Sequence, residues 1–371
     1  MKIGIMTFWW AADNYGQLLQ CYALQKYLRD RGHDAFLIRY NYTTDIKKNP
    51  LFLRVLKALN PLLLTRYLLQ KKRLADVKKE QAENDRHFDD FRSRYILQSK
   101  LEYPTYEALC QNPPEADAYI VGSDQVWNYW FENPKRFYSQ PHAYFLDFGN
   151  AKTKRLSYAA SWGVTELPSS YEKEIEPLLK CFDYISVREE SGVKLCAECG
   201  CSAEWVADPT LLLDAETYRK VYAENAIRRP QKPYILLYML ANECDFDIQR
   251  VYDFAQKKNL DVVYVTGNNA LDGRKKYFAT IPEWLYLVDN AEYVITNSFH
   301  CAVFSTIFHK AFGVVKLSGS AEGMNTRFDS LFALRGTGSR YLSDSDFSVL
   351  DKSYEVKDVQ ISEQFLKEVN N

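Results

Sequence analysis

Apolar residues in this chain come in short runs rich in β-branched and aromatic side chains, each ending in a polar or glycine-bearing loop. In order they are Ile3–Phe8, Ala118–Val121, Leu156–Ala159, Tyr184–Val187 and Trp205–Ala207. A polar, proline-punctuated stretch (Arg228-Arg229-Pro230-Gln231-Lys232-Pro233) follows. The pattern then restarts with Tyr234–Leu240, Val262–Thr266, Tyr293–Thr296 and Gly313–Leu317. Continuous apolar strands alternating with helical segments predict parallel sheets covered on both faces. Two such series predict two Rossmann-like domains, residues 1–215 and 230–371, with the boundary near 214–233. At 371 residues the chain also exceeds what one core usually supports.

The first helix is well marked. After Ile3–Phe8, residues Leu18, Leu19, Tyr22, Ala23 and Leu28 recur at helical spacing, and Gly32 is placed to end the segment. Asn14, Tyr15 and Gly16 therefore lie between a strand end and a helix start, where open α/β sheets bind ligands. There a glycine permits close backbone approach, and the helix N-terminus favours an anion or an oxygen-rich ligand. Residues 47–98 interrupt the first series and predict a helical, basic insertion. Between Lys47 and Lys79 there are ten Lys/Arg and one Asp, amid leucines. Residues 51–79 thus read first as an insertion packed on its own domain, with an amphipathic helix at an anionic membrane surface as the alternative.

Composition narrows the function. Lys+Arg (47) and Asp+Glu (48) nearly cancel, so no polybasic signature points to nucleic acid. No secretory signal opens the chain, no run reaches membrane-span length, and eight scattered cysteines make no secreted disulfide framework. These features predict a cytoplasmic protein. Cys196, Cys199 and Cys201 have partial zinc-type spacing that Cys181 would complete, but without a second CxxC pair free thiols are the simpler reading. Aromatic residues make up 15% of the chain, including 27 Tyr and 7 Trp, enough either to line a sugar cleft or merely to fill a tyrosine-rich core.

Five stretches at strand ends carry candidate chemistry. The first is Asp13–Gln17. In the second, Ser123-Asp124-Gln125-Val126-Trp127-Asn128, a carboxylate beside an indole and two amides suits sugar hydroxyls, although Asp124 also fits a helix N-cap. Arg188, at the tip of Ile185-Ser186-Val187, fits a fork onto phosphate or carboxylate, or an ion pair with Glu189 or Asp183. The Asp208-Pro209 turn reads as structural. Last, Asn297-Ser298-Phe299-His300 follows Val294-Ile295-Thr296. Of five histidines only His300 sits at a strand-to-helix junction, in a first helical turn facing the cleft.

Taken together and in order, NYGQLLQCYALQ, VGSDQVWN, SYAASWG, ISVREESG, VADPTLLL and TNSFHCAVFSTIF resemble the polysaccharide pyruvyltransferase family over nearly the whole chain. The resemblance implies a GT-B-like fold with an acceptor side in 1–215 and a donor side in 230–371. It also implies a reaction in which phosphoenolpyruvate gives its pyruvyl group to two hydroxyls of a sugar as a cyclic ketal, with phosphate leaving and no metal or further cofactor needed. A polyprenyl-linked glycan acceptor at the inner face of the membrane would suit such an enzyme; a nucleotide-sugar glycosyltransferase and a silent glycan-binding relative are the alternatives. Residue by residue, Arg188 corresponds to an arginine gripping the donor's anionic groups, and His300 to a histidine for acid catalysis or phosphate contact. Asn297 and Ser298 fall beside the donor. Asp124 becomes the candidate base, and Asn14, Tyr15, Gly16, Gln125, Trp127 and Asn128 candidate acceptor contacts. Many members read Arg-Leu-His where this chain has Ser298-Phe299-His300, which leaves Arg327 as the candidate for the missing charge.

Overall fold

The apolar runs form parallel strands in two sheets. The computed structural model describes residues 1–41, 61–129, 141–240, 244–267, 273–343 and 345–370. The first half runs β1 (Lys2–Met6), α1 (Tyr15–Arg29), β2 (Asp34–Tyr40), α2 (Pro61–Glu83), α3 (Phe88–Tyr95), β3 (Gln98–Tyr103), α4 (Tyr106–Gln111), β4 (Ala118–Val121) and β5 (Lys154–Ser157). It continues through α5 (Ser169–Leu179), β6 (Ser186–Val187), α6 (Glu190–Glu198) and β7 (Glu204–Trp205). The second half comprises α7 (Ala215–Ala223), β8 (Tyr234–Leu240), α8 (Gln249–Lys258), β9 (Asp261–Gly267), α9 (Ile281–Asn290) and β10 (Tyr293–Thr296). It ends with α10 (Phe299–Ile307), β11 (Phe312–Val315), α11 (Thr326–Arg335), β12 (Tyr341–Leu342) and α12 (Glu363–Asn370).

Strand orders are β3-β2-β1-β4-β5 and β12-β11-β10-β8-β9, with β6 and β7 paired separately. All these pairings are parallel. In each sheet the order reverses beside the first strand, between β1 and β4 and between β8 and β10. The loops after those strands diverge there and leave a crevice at the carboxyl ends. This is where the candidate motifs lie.

Three strands lie outside the apolar runs named above. β2 carries the same apolar run as its neighbours, Ala35–Ile38 after the Gly32 turn. β3 is an edge strand whose residues 100–102 are all exposed, so its composition is not that of a buried strand. β12 has two residues. Helix α1 ends at Arg29 with Asp30 as cap, and Gly32, at φ +87°, turns the chain into β2. The described part of the 47–98 insertion is helical, as expected.

Two features revise the domain division. The final helix α12 returns to the first half: Phe365 and Val369, one helical turn apart, are buried with Ile3, Ile5, Leu24, Tyr158 and Tyr184. Phe365 lies 4.7 Å from the Tyr158 ring, and Lys154 Nζ donates to the Glu368 carbonyl at 2.9 Å. Second, one core spans the halves. Tyr15, Leu18, Leu19 and Tyr22 of α1 share a cluster with Trp284, Phe299 and Phe304, and the Tyr15 and Trp284 rings stack at 5.1 Å. The halves are therefore joined by apolar packing as well as by the link at 214–233. Among the described residues no helix is long and apolar enough to cross a membrane.

Candidate active site

Three loop ends of the first half meet two helix starts of the second. β4 delivers Ser123 and Asp124, β6 delivers Arg188, and Asp208 caps the short 3-10 turn Pro209–Leu212. Opposite them, His300 lies in the first turn of α10 and Arg327 in the first turn of α11. Ser298 caps α10 by accepting from Cys301 N, which fixes the orientation of that first turn.

At the centre is an ion pair removed from water. Arg188 Nη1 lies 2.9 Å from Asp208 Oδ2, with the two side chains 1% and 0% exposed. The same Nη1 donates to Ser123 Oγ at 3.0 Å, and Ser123 Oγ donates to Asp208 Oδ2 at 2.9 Å. His300 Nε2 stands 3.4 Å from Asp208 Oδ2 and 3.5 Å from Arg188 Nη1. The other Asp208 oxygen accepts from Thr210 N and Oγ1, at 3.0 and 2.6 Å. Burial works against ionising Asp208, but His300, Arg188 and Thr210 together outweigh it and hold the carboxyl far below the usual carboxylate range.

Arg188 is left with spare donors. Its Nε and Nη2 are buried and have no protein partner, although buried polar groups are nearly always paired. The guanidinium stacks 4.5 Å over Phe299, and Arg327, itself buried, lies 5.8 Å from the same ring. Burial first, and then the proximity of Arg188, lower the Arg327 guanidinium to about 10; Glu189 and Asp124 oppose the shift. Two guanidinia converging under desolvation favour an anion beside them.

Asp124 adopts a left-handed φ of +91° and its Oδ1 accepts from Gln125 N at 2.8 Å. It caps no helix, because a turn follows it. Such a backbone costs about 1–3 kcal/mol for a residue with a side chain and is typical of functional loops. Gln125 Oε1 accepts from Asn128 Nδ2 at 2.8 Å next to Gly163.

Several expected contacts prove to be framework. Trp127 is fully buried, stacked 5.3 Å from Phe145 with its N–H on the Tyr144 carbonyl, so its face is not available to a sugar. Tyr15 is likewise buried between the halves and donates to the Ala279 carbonyl at 2.8 Å. Gly16 is needed for close approach, but the group approached is His300: a Cβ there would fall 2.1 Å from Nδ1. Asn14 caps α1. Asn297 spends both amide ends on Leu240, accepting from its N at 2.7 Å and donating to its O at 3.0 Å, which ties β8 to β10 across the switch point.

Asp208 and Glu189 are central to the site. Arg188 pairs with Asp208, not with Glu189 or Asp183. Glu189 is 1% exposed; its Oε1 accepts from Ser161 Oγ, Trp162 N and Gly163 N, while Oε2 has no partner. The available signal for Asp208 was that Val206-Ala207-Asp208 ends a strand at the same rim as the other four stretches. Cys196 lies in helix α6, Cys199 caps it and Cys201 follows it. Burial raises the Cys196 thiol to about 12 and that of Cys199 to about 11. Among the described residues no three potential ligands converge as a metal site.

Two facing parallel sheets, with a polar site at the carboxyl ends of both, define a GT-B-like α/β protein. The chain belongs to the polysaccharide pyruvyl transferase family, whose sequence model matches residues 14–318. No curated protein sequence matches it significantly. Among solved structures, the UDP-GlcNAc 2-epimerase of Methanocaldococcus jannaschii in complex with UDP-GlcNAc and UDP is similar, with TM-score 0.53, 12% identity and coverage of 100% of this chain and 99% of that one. The Neisseria meningitidis UDP-GlcNAc 2-epimerase bound to UDP-GlcNAc has TM-score 0.43 at 9% identity, covering 100% and 92%. The glycosyltransferase SsfS6 of Streptomyces sp. SF2575, complexed with thymidine diphosphate, has TM-score 0.36 at 11% identity, covering 95% and 89%. At 12% identity the likeness to the Methanocaldococcus jannaschii enzyme concerns the fold alone.

Proposed function

We propose that this transferase-family protein moves the pyruvyl group of phosphoenolpyruvate onto a sugar of a lipid-linked polysaccharide precursor as a cyclic ketal, releasing phosphate. The observation that carries the reading is Arg188: a buried guanidinium with Nε and Nη2 unpartnered, next to Arg327 and His300. That set suits a small, highly charged donor whose reaction begins with protonation. Arg188 and Arg327 hold the phosphate and carboxylate oxygens. His300 gives a proton to the methylene carbon, which becomes the methyl group, and the central carbon acquires oxocarbenium character. One sugar hydroxyl adds there and loses its proton. The second hydroxyl expels phosphate and closes the ketal. Asp124, across the site on the β4 loop, takes a hydroxyl proton or orients the acceptor. Arg188 comes from the first half and His300 from the second, so the donor subsite is built from both.

The test is donor-dependent product release. Incubated with a panel of glycan acceptors, the protein should release inorganic phosphate from phosphoenolpyruvate and add a pyruvyl ketal, read as the corresponding mass increase. Nucleotide release from UDP- or TDP-sugars, with no phosphate release from phosphoenolpyruvate, would replace this reading by a glycosyltransferase.

The acceptor's lipid carrier gives helix α2 a role. Residues 51–60 of the basic segment lie outside the described residues. Within α2, Tyr67, Leu68 and Leu69 are 54%, 55% and 63% exposed, and Lys71 and Lys72 are exposed beside them. Large apolar side chains in solvent next to cations suit an anionic lipid surface, each cation adding about 1 kcal/mol. Vesicles containing phosphatidylglycerol should sediment the protein at low salt. Lys71→Glu/Lys72→Glu should lower the bound fraction several-fold; equal binding by this variant, or none by the unaltered protein, makes α2 a structural insertion.

A further inference from the structure

The Asp-Pro turn at 208 places one carboxylate against both Arg188 and His300 of the candidate site, and donor counting gives it a definite task. A guanidinium Nη carries two N–H groups and a neutral imidazole only one. Both Nη1 protons of Arg188 have short acceptors, Ser123 Oγ at 3.0 Å and Asp208 Oδ2 at 2.9 Å. None remains for His300 Nε2, which faces Nη1 at 3.5 Å and Asp208 Oδ2 at 3.4 Å. The imidazole must therefore present a proton at Nε2, toward the carboxylate. Around the ring, Arg188 and the N-terminal turn of α1, with Gly16 packed against Nδ1, both disfavour a positive charge. Asp208 is the anion that favours one.

We propose that Asp208 is the positioning residue of this site: it fixes the proton of His300 on Nε2, sustains the imidazolium against Arg188, and occupies Arg188 Nη1 so that Nε and Nη2 are reserved for the ligand. The proposal rests on the pyruvyl-transfer reading only for what the proton is used for; the arrangement of charges stands without it. Asp208 touches neither donor nor acceptor, and it acts through His300 and Arg188.

The test uses the full-length protein with labelled histidine, whose five rings are few enough to assign with His300→Gln. In the unaltered protein, 15N shifts should place the proton of neutral His300 on Nε2; an Nδ1–H tautomer overturns the proposal. In Asp208→Asn, the His300 resonance should titrate at a midpoint lower by about one pH unit or more, since an opposite charge within a few ångströms shifts a titration by about 1–3 units. The alkaline limb of the phosphate-release profile should move down with it. Thr210→Val, which removes a hydrogen bond to the other oxygen but no charge, should leave the midpoint in place. A midpoint unchanged in Asp208→Asn, or moved as far by Thr210→Val, overturns the proposal. Should Asp208→Asn fail to fold, Asp208→Glu and the 15N measurement decide: the midpoint in Asp208→Glu should stay within about half a unit of the unaltered protein's. If the midpoints behave as expected while phosphoenolpyruvate yields no phosphate with any acceptor, the reaction assigned above fails and Asp208 keeps its role.

Discussion

Replacing His300 by alanine should lower turnover by about 10²–10⁴-fold with the fold intact, the range lost when a positioned general acid is removed. The expectation follows from its place. His300 is 7% exposed, in the first turn of α10, with Nε2 at the Arg188–Asp208 pair. Protonating the methylene carbon of an enol ester is the slow, acid-demanding event in the proposed reaction, and the unpartnered donors of Arg188 define an anion position next to the ring. His300→Ala also empties space against Gly16, so His300→Gln, which keeps bulk and polarity, is the companion variant. Both should melt cooperatively and both should be slow. A folded His300→Ala protein with full turnover would remove the residue from the mechanism.

Arg188→Ala should weaken binding of phosphoenolpyruvate by about 2–4 kcal/mol, roughly 30- to 800-fold. Three N–H groups of this guanidinium, on Nε and Nη2, are buried and lack protein partners, so a donor anion gains charge-assisted hydrogen bonds without displacing a protein acceptor. Truncation also strips Asp208 of its buried arginine partner, and breaking a buried pair costs about 3–5 kcal/mol of stability. For that reason calorimetric titration should be run on Arg188→Lys as well. Lysine keeps the charge beside Asp208 but loses the fork, so it should fold better than the alanine variant and still bind weakly. Unchanged donor affinity in a folded Arg188→Ala protein would move the donor to another part of the cleft.

How far the sequence reaches can be followed in single residues. Ala118–Val121, Tyr234–Leu240 and Tyr293–Thr296 are legible to their ends, because a strand buried on both faces must be apolar and the small or polar residues after it mark the rim. That logic also located Ser123, Arg188, Asp208 and His300 at strand ends, which in parallel sheets is one edge of the layer. Orientation was not legible. Trp127 and Tyr15 are residue types that could form a sugar platform, yet each ring is packed against an aromatic neighbour outside its own local segment, Phe145 for one and Trp284 for the other. Nothing local distinguishes a ring facing a cleft from a ring facing a core.

By itself, then, the order of apolar runs and rim residues determined two parallel sheets and a site at their carboxyl edges, since strand burial and strand termination are local properties written in periodicity. Only the tertiary structure decided which rim residues meet. Arg188 pairs with Asp208, twenty positions on, and lies beside His300, 112 positions on, because the halves are pressed together through α1, where Gly16 leaves room for the His300 ring. Helix α12 likewise reads as a terminal amphipathic helix that any apolar groove would accept, and its seat beside β1 and β5 is set by which groove lies open in space. Charge pairing and groove matching depend on distances between elements, and those distances are products of packing that no stretch of chain carries alone.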